Sequence, residues 1–308
     1  MTRRYFTHIG LILCSFWLIS NVAQECALYA VAAWRPAILQ NSWGYFAVTL
    51  LPMYLLAMPH CALLLRLRTT GAPPKRSLSA AHVLTVVPIG VMLMIAGNLI
   101  GLAINFMIGL MRGEMATNSV SNLIGSSAFW PTVLFAAILA PILEELIFRK
   151  FLIDAIYPYG ELTAVLVSGL TFGAFHGNLY QFFYATALGL VFAYMYCKTG
   201  KLRYSILFHM GVNLSSTLVS QLVLPHLNTD PESLTLGDIP ALLAALGYEI
   251  IVFGLSIVGL VLLIVNFRKI RFDRPAPPHQ SGPAAFANVG MILFFVLCGG
   301  MCLISLFQ

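Results

Sequence analysis

The sequence predicts an all-α fold, a polytopic transmembrane helix bundle of about nine spans. Three observations predict it. Of the 308 residues, 59% are hydrophobic and only 9% charged, where soluble domains carry about 25% charged residues. Mean hydropathy is +0.88, more apolar surface than a water-soluble fold covers. Clusters of Lys and Arg also fall in every second connection between the apolar runs, the asymmetry that orients membrane helices.

A helix needs roughly 20 apolar residues to cross a bilayer. By that measure the spans fall at 9–33, 43–65, 80–110, 129–153, 161–177, 179–197, 203–223, 240–266 and 286–306. The first is expected to be tilted or broken, because Asn21, Gln24 and Glu25 interrupt it. Gly101 and Asn105 leave the end of the third open. Arg3 and Arg4 ahead of the apolar run from Ile9 imitate a signal peptide, but no small-x-small cleavage site follows, so this is read as an uncleaved first helix. Pro-rich linkers lie at 69–78 and 272–284, with no internal repeat and no low-complexity segment. The chain divides into N-terminal helices (1–128), a core that holds the chemistry (129–223) and C-terminal helices (224–308).

Arg66, Arg68, Lys75 and Arg76 follow the second span, and Arg149 and Lys150 end the fourth. Lys198, Lys201 and Arg203 follow the sixth, and Arg268, Lys269, Arg271 and Arg274 follow the eighth. The opposite loops are poor in cations, and one carries Asp230, Glu232 and Asp238. The positive-inside rule then places the N-terminus in the cytoplasm and the C-terminus on the far side. The formal charge of +6 is too small and too scattered to suggest nucleic acid. Cys14, Cys26, Cys61, Cys197, Cys298 and Cys302 form no CxxC pair and read as small buried side chains rather than a disulfide framework. The sparse loops suggest a prokaryotic plasma membrane, with the oligomeric state open.

An ionisable side chain inside a span costs on the order of 2.5–3.5 kcal/mol, so each one calls for a reason. The fourth span carries Glu144 and Glu145 side by side, with Arg149 four residues after Glu145 on the same helix face. Glu144 points about 100° away and is freer to face a cavity. One carboxylate can be neutralised while the other serves as a base; the alternative is a snorkelling ion-pair cluster near a helix end. Phe172 and His176 share a face of the fifth span, and there a lone histidine is commonly a hydrogen-bonded core residue. His209 and Asn213 are one turn apart on the seventh, able to offer donors to an oxyanion or to act as polar glue between helices. Glu249 lies inside the eighth span, to pair with a polar neighbour or line the cavity, and His60 reads as a packed or interfacial residue.

The joint pattern is more specific than its parts. Glu-Glu-x-x-x-Arg, Phe-x-x-x-His and His-x-x-x-Asn follow one another at Glu144, Glu145 and Arg149, at Phe172 and His176, and at His209 and Asn213. This resembles the CPBP family of intramembrane proteases, which includes the type II CAAX prenyl endopeptidases and the Abi, or bacteriocin-processing, proteins. The resemblance covers 129–223, and no motif position departs from it. It implies that Glu144 with His176 activates a water for attack on a peptide carbonyl. Arg149 would hold Glu145 as support, and His209 and Asn213 would stabilise the oxyanion. Either a metal-free glutamate enzyme or a metalloendopeptidase is compatible. The metal-free form is favoured, with zinc held by Glu144, His176 and His209 as the other form, although the His-Glu-x-x-His motif of zinc proteases is absent.

The function expected is an intramembrane endopeptidase acting on a peptide or protein substrate in the membrane, with a cavity opening to the cytoplasmic side. The alternatives are a non-catalytic bacteriocin-immunity-type membrane protein and a proton-coupled transporter. Serine chemistry fits worse, since Leu166 stands where Gly would precede Ser168-Gly169. Aspartyl chemistry also fits worse, since only Asp154 lies near a span. Helix rise leaves a tension: Glu144 lies near mid-membrane, His209 shallower and His176 near the far end of its span. A tilt, a bend at Gly169 or Gly173, a re-entrant hairpin at 161–197 or a kink at Pro141 would each reconcile them.

Overall fold

The structure is a computed structural model that describes residues 1–113, 119–228, 230, 233–274 and 282–306. It is all-α, with ten helices and no strand among the described residues. In chain order they are α1 (Thr2–Trp34), α2 (Ser42–Arg66), α3 (Ala80–Arg112), α4 (Ser119–Ser126) and α5 (Phe129–Tyr159). Then come α6 (Glu161–Phe175), α7 (Leu179–Thr199), α8 (Leu202–His226), α9 (Leu236–Lys269) and α10 (Val289–Ser305).

Side chains suited to capping set several helix ends. Ser79, Asn178 and Asn288 accept from the backbone N–H three residues on, at the starts of α3, α7 and α10. Gly113 and Gly200, at φ 70 and 59, close α3 and α7 in the left-handed conformation that glycine adopts without strain.

Six helices (α1, α2, α3, α5, α8 and α9) are long and apolar enough to cross a membrane. At a rise of about 1.5 Å per residue, the 15 residues of α6 and the 17 of α10 fall short of a typical bilayer core. α7 has 21 residues but spends several on Gln181, Lys198 and tyrosines. Of the two forms expected for the first span, tilted or broken, the break is absent: α1 runs unbroken from Thr2 to Trp34. Asn21 is accommodated because its side-chain amide donates to the carbonyl of Trp17, one turn back, and Glu25 is exposed. α4 was not anticipated as a separate helix. Of the six cysteines, all free thiols, Cys26 is exposed rather than buried. Glu232 and residues 275–281 of the second linker lie outside the described residues.

The most extensive helix pairings are α6 with α7, α7 with α3, α1 with α2 and α3 with α9. Small residues permit those of α7, as in other membrane bundles. A Cβ added at Gly97 of α3 would sit 2.7 Å from Cα of Tyr184 on α7, and one at Gly173 of α6 would sit 1.9 Å from Oγ1 of Thr186. α7 is thus held between two backbones.

The basic connections gather at one end of the bundle. Tyr5 donates to the carbonyls of Arg68 and Ala155, and Arg76 N–H donates to the carbonyl of Thr199. Lys198 pairs with the buried Glu161, whose carboxylate also accepts from the backbone of Asp273. The loops after α2, α5, α7 and α9 therefore share one face with the N-terminus.

Candidate active site

The paired glutamates occupy a short α-helical stretch, Ala140–Glu145, between two π-helical segments of α5, Val133–Leu139 and Leu146–Phe151. π-bulges are rare and frequently mark functional sites. Pro141 explains part of the arrangement. Ala140 N–H donates to the carbonyl of Phe135, five residues back. In the same register Pro141 would meet the carbonyl of Ala136, but proline has no N–H. Asn213 of α8 supplies the missing donor, its Nδ2 lying 2.9 Å from that oxygen.

Glu145 and Arg149 are fully buried and ion-paired at 3.0 Å. The guanidinium stacks over Phe172 of α6, 4.4 Å from the ring centroid, and stands 5.4 Å from that of Phe192 on α7. The aromatic motif position thus carries the arginine. His209 of α8 stacks on Phe192 at 5.1 Å and places Nδ1 3.2 Å from Oε1 of Glu145. A carboxylate only accepts, so Nδ1 is assigned the proton and donates. Nε2 is then turned towards Glu144, 3.8 Å from its Oε2, a close contact but too long for a hydrogen bond. His176 closes α6 and donates from Nδ1 to the carbonyl of Phe172 at 2.9 Å, which leaves its Nε2 as the free acceptor.

Glu144, His176, His209 and Asn213, from three helices, line one cavity of about 260 Å³, together with Gln181 and Tyr184 of α7. That volume accommodates several waters at about 30 Å³ each. Glu145 and Arg149 stand behind its wall.

Helix rise alone places Glu144 and His176 each ~22 Å from the basic end of the bundle, and His209 only ~10 Å. They meet because α8 begins deeper in the bundle than α5 ends: His209, Asn213 and Gln221 of α8 bond Glu145, Ala136 and Thr132 in turn, so the two helices run antiparallel side by side with an axial offset. The cavity is also lined by Phe46 and Leu50 of α2, Leu123 and Ile124 of α4, and Ser216 and Thr217 of α8. All belong to helix portions remote from the basic loops. The cavity therefore extends away from the basic end, the reverse of the cytoplasmic opening expected, because the sequence places residues along helices but not the helices across one another.

Among the described residues, no three His, Cys, Asp or Glu side chains are arranged to hold a metal ion. Glu144, His176 and His209 share the cavity wall, and with Nδ1 of each histidine donating to a fixed acceptor, each Nε2 is left free towards the cavity, an orientation open to water or to a metal ion. Ser168 donates to the carbonyl of Phe148, and Asp154 is paired with Lys150 and Tyr196, so neither faces the cavity. Glu249 is exposed on the outer face of α9 rather than lining the cavity. His60 bonds Ser15 through Nε2 at 3.1 Å. Sequence reasoning missed Gln181 and Tyr184. The available signal was a polar Gln inside an apolar run, three residues before a tyrosine on the same face.

Asn213→Ala should destabilise the protein by about 1 kcal/mol, the net worth of one part-buried hydrogen bond, lost at the carbonyl of Ala136. Denaturant unfolding in detergent reads it, and an unchanged midpoint would mean that Asn213 does not brace α5.

Residues 126–215 match the profile of the family described as Type II CAAX prenyl endopeptidase Rce1-like. The proposed membrane peptidase YdiL of Bacillus subtilis (strain 168) is 35% identical over 82 residues, which cover 26% of this chain and 34% of that protein. The chain thus spans about a third of the length of the curated relative it matches. No solved structure matches the chain. The matched segment runs from the start of α5 past Asn213 and contains both glutamates, both site histidines and Tyr184. The part of this chain that builds the cavity, residues 126–215, is thus the part similar to the Rce1-like type II CAAX prenyl endopeptidase (CPBP) family.

Proposed function

We propose that this protein is a membrane endopeptidase that hydrolyses a peptide bond of a membrane-associated substrate, using water activated by Glu144. The observation that carries this reading is the gathering of Glu144, His176, His209 and Asn213 around one cavity. An apolar bundle loses stability by burying such groups, so a structural role alone gives no reason for their meeting.

In the reaction, Glu144 takes a proton from water, and the oxygen attacks the carbonyl carbon of the scissile bond. The carbonyl π pair moves onto oxygen to form the oxyanion, which Asn213 and further cavity donors stabilise. Collapse re-forms the carbonyl and breaks the C–N bond, and Glu144 returns the proton to the leaving amine. His176, with Nε2 free, orients the water beside Glu144. His209 is held by Glu145 and faces Glu144, so the Glu145–Arg149 pair acts through it. The metal-free form is the one proposed; in the zinc form Glu144 and the two free Nε2 atoms would be the ligands, and chelation distinguishes the two.

The basic end is the cytoplasmic one by the positive-inside rule, with the N-terminus there. Every helix from α5 to α8 begins or ends its crossing at that face, so the short α6 and α7 also traverse the bundle. With α10 taken as a further crossing, this reading has nine spans, and we place it in a prokaryotic plasma membrane. The cavity then opens within the far half of the bilayer, and the substrate presents its scissile bond there.

Purified protein in lipid vesicles should cleave membrane-anchored peptides whose scissile bond lies in that half, and cleavage should survive exhaustive chelation. Chelator-sensitive activity restored by zinc would overturn the metal-free mechanism. Folded protein that cleaves no member of a broad anchored-peptide panel would overturn the peptidase reading.

A further inference from the structure

We propose that Tyr184 is a further catalytic residue: its phenolic hydroxyl donates to the carbonyl oxygen of the scissile bond as that oxygen becomes an oxyanion. This rests on the peptidase reading above and concerns the same cavity.

The direction of a chain of hydrogen bonds carries the argument. Asn178 caps α7 by accepting from Gln181 N–H at 2.9 Å through Oδ1. Its amide nitrogen therefore faces the other way, donating to the carbonyl of His176 at 3.1 Å and to Oε1 of Gln181 at 2.6 Å. With Oε1 of Gln181 thus an acceptor, its Nε2 is the group 3.1 Å from the Tyr184 hydroxyl, and it donates. The phenol oxygen accepts, and its own hydrogen is left over. It donates to no acceptor among the described residues. Each donation in such a chain polarises the next group, so the last hydroxyl is a stronger donor than an isolated phenol.

The groups assigned to the oxyanion by resemblance are partly occupied. Asn213 spends one amide hydrogen on the carbonyl of Ala136, and His209 donates its Nδ1 hydrogen to Glu145. Tyr184 lines the same cavity and has its hydrogen unspent. Its place is also enforced. Gly97 of α3 lies against its Cα, and Gly173 of α6 lies against Thr186, so the first turns of α7 cannot shift towards either helix. The side chain lines the cavity with Glu144 and His176. A donor held in advance, where charge will develop, is the arrangement that stabilises a transition state most. The same Asn178 that begins the chain also fixes the backbone of His176, tying the water-orienting group and the oxyanion donor to one capping residue.

The test is Tyr184→Phe in the full-length protein, assayed on a peptide that wild type cleaves. The expected result is a fall in kcat of about 10²–10³-fold, the usual loss for one oxyanion donor, with KM little changed. A peptide phosphinate that mimics the tetrahedral adduct should lose affinity in step with kcat, while an uncleavable ground-state analogue binds as before. Fluorotyrosines introduced at 184 keep the ring and guard against a misfolded phenylalanine variant; kcat should follow phenol acidity. Wild-type kcat in Tyr184→Phe, or an equal loss of affinity for both analogues, would overturn the proposal and leave a packing residue. If folded wild type cleaves nothing, the peptidase reading fails and takes this one with it. If wild type cleaves, Glu144→Gln does not, and Tyr184→Phe cleaves normally, only the tyrosine assignment falls.

Discussion

Glu144→Gln is expected to lower kcat by about 10²–10⁴-fold, the range carried by a positioned general base, with no loss of fold. The two side chains are nearly isosteric, and only the ability to take a proton from water is removed. The Glu144 side chain is 18% exposed, to the cavity, so the substitution buries no new unpaired group. The result is sharper when set beside Glu145, one residue away. Glu145 is fully buried and bound to Arg149 and His209, and its loss should act through the fold and through the placement of His209. Cleavage at the wild-type rate in Glu144→Gln would remove this residue as the base. Unfolding of that variant, with Glu145→Gln remaining folded, would mean that the roles are exchanged.

Arg149→Met should destabilise the protein by about 3–5 kcal/mol, the usual effect of removing one partner from a buried ion pair. The guanidinium and carboxylate are both at 0% exposure, so neither has solvent to fall back on. The double variant Glu145→Gln, Arg149→Met should recover much of that loss, because replacing both partners leaves no uncompensated charge. It should not recover cleavage, because His209 loses the carboxylate that orients its ring. Denaturant unfolding of the four members of this cycle measures the coupling, and peptide cleavage measures the activity. Additive losses, with no coupling between the two sites, would show that the pair is not a unit. Full activity in a stable double variant would show that Glu145 and Arg149 serve stability alone.

The membrane fold was legible in the sequence because hydrophobicity, span length and cation placement are local properties. The boundaries of α2, α3, α6, α7 and α8 lie close to the predicted spans, since each ends where a loop cation, glycine or capping residue stands. Local reasoning failed where a polar residue could be satisfied by its own helix. Asn21 bonds one turn back, so α1 does not break. The ion pair of Glu145 with Arg149 was legible for the same reason, as a four-residue spacing on one helix. The bond from His209 to Glu145, the brace from Asn213 to Ala136 and the chain from Asn178 to Tyr184 were not. The first two join residues far apart in sequence, and the third depends on which way each amide is turned.

By itself, then, the amino-acid sequence determined a bundle of apolar helices, its charged end and the identity of the polar side chains that such a bundle holds only for a purpose. Spacing, hydropathy and charge are carried by neighbouring residues, and so are readable along a line. The tertiary structure decided which of those side chains meet, which histidine nitrogen faces Glu144, and that the cavity extends away from the basic loops. Those outcomes depend on the axial offset of α8 beside α5, on Asn213 reaching the carbonyl that Pro141 leaves open, and on glycines that let α7 approach its neighbours, and each of these joins two helices.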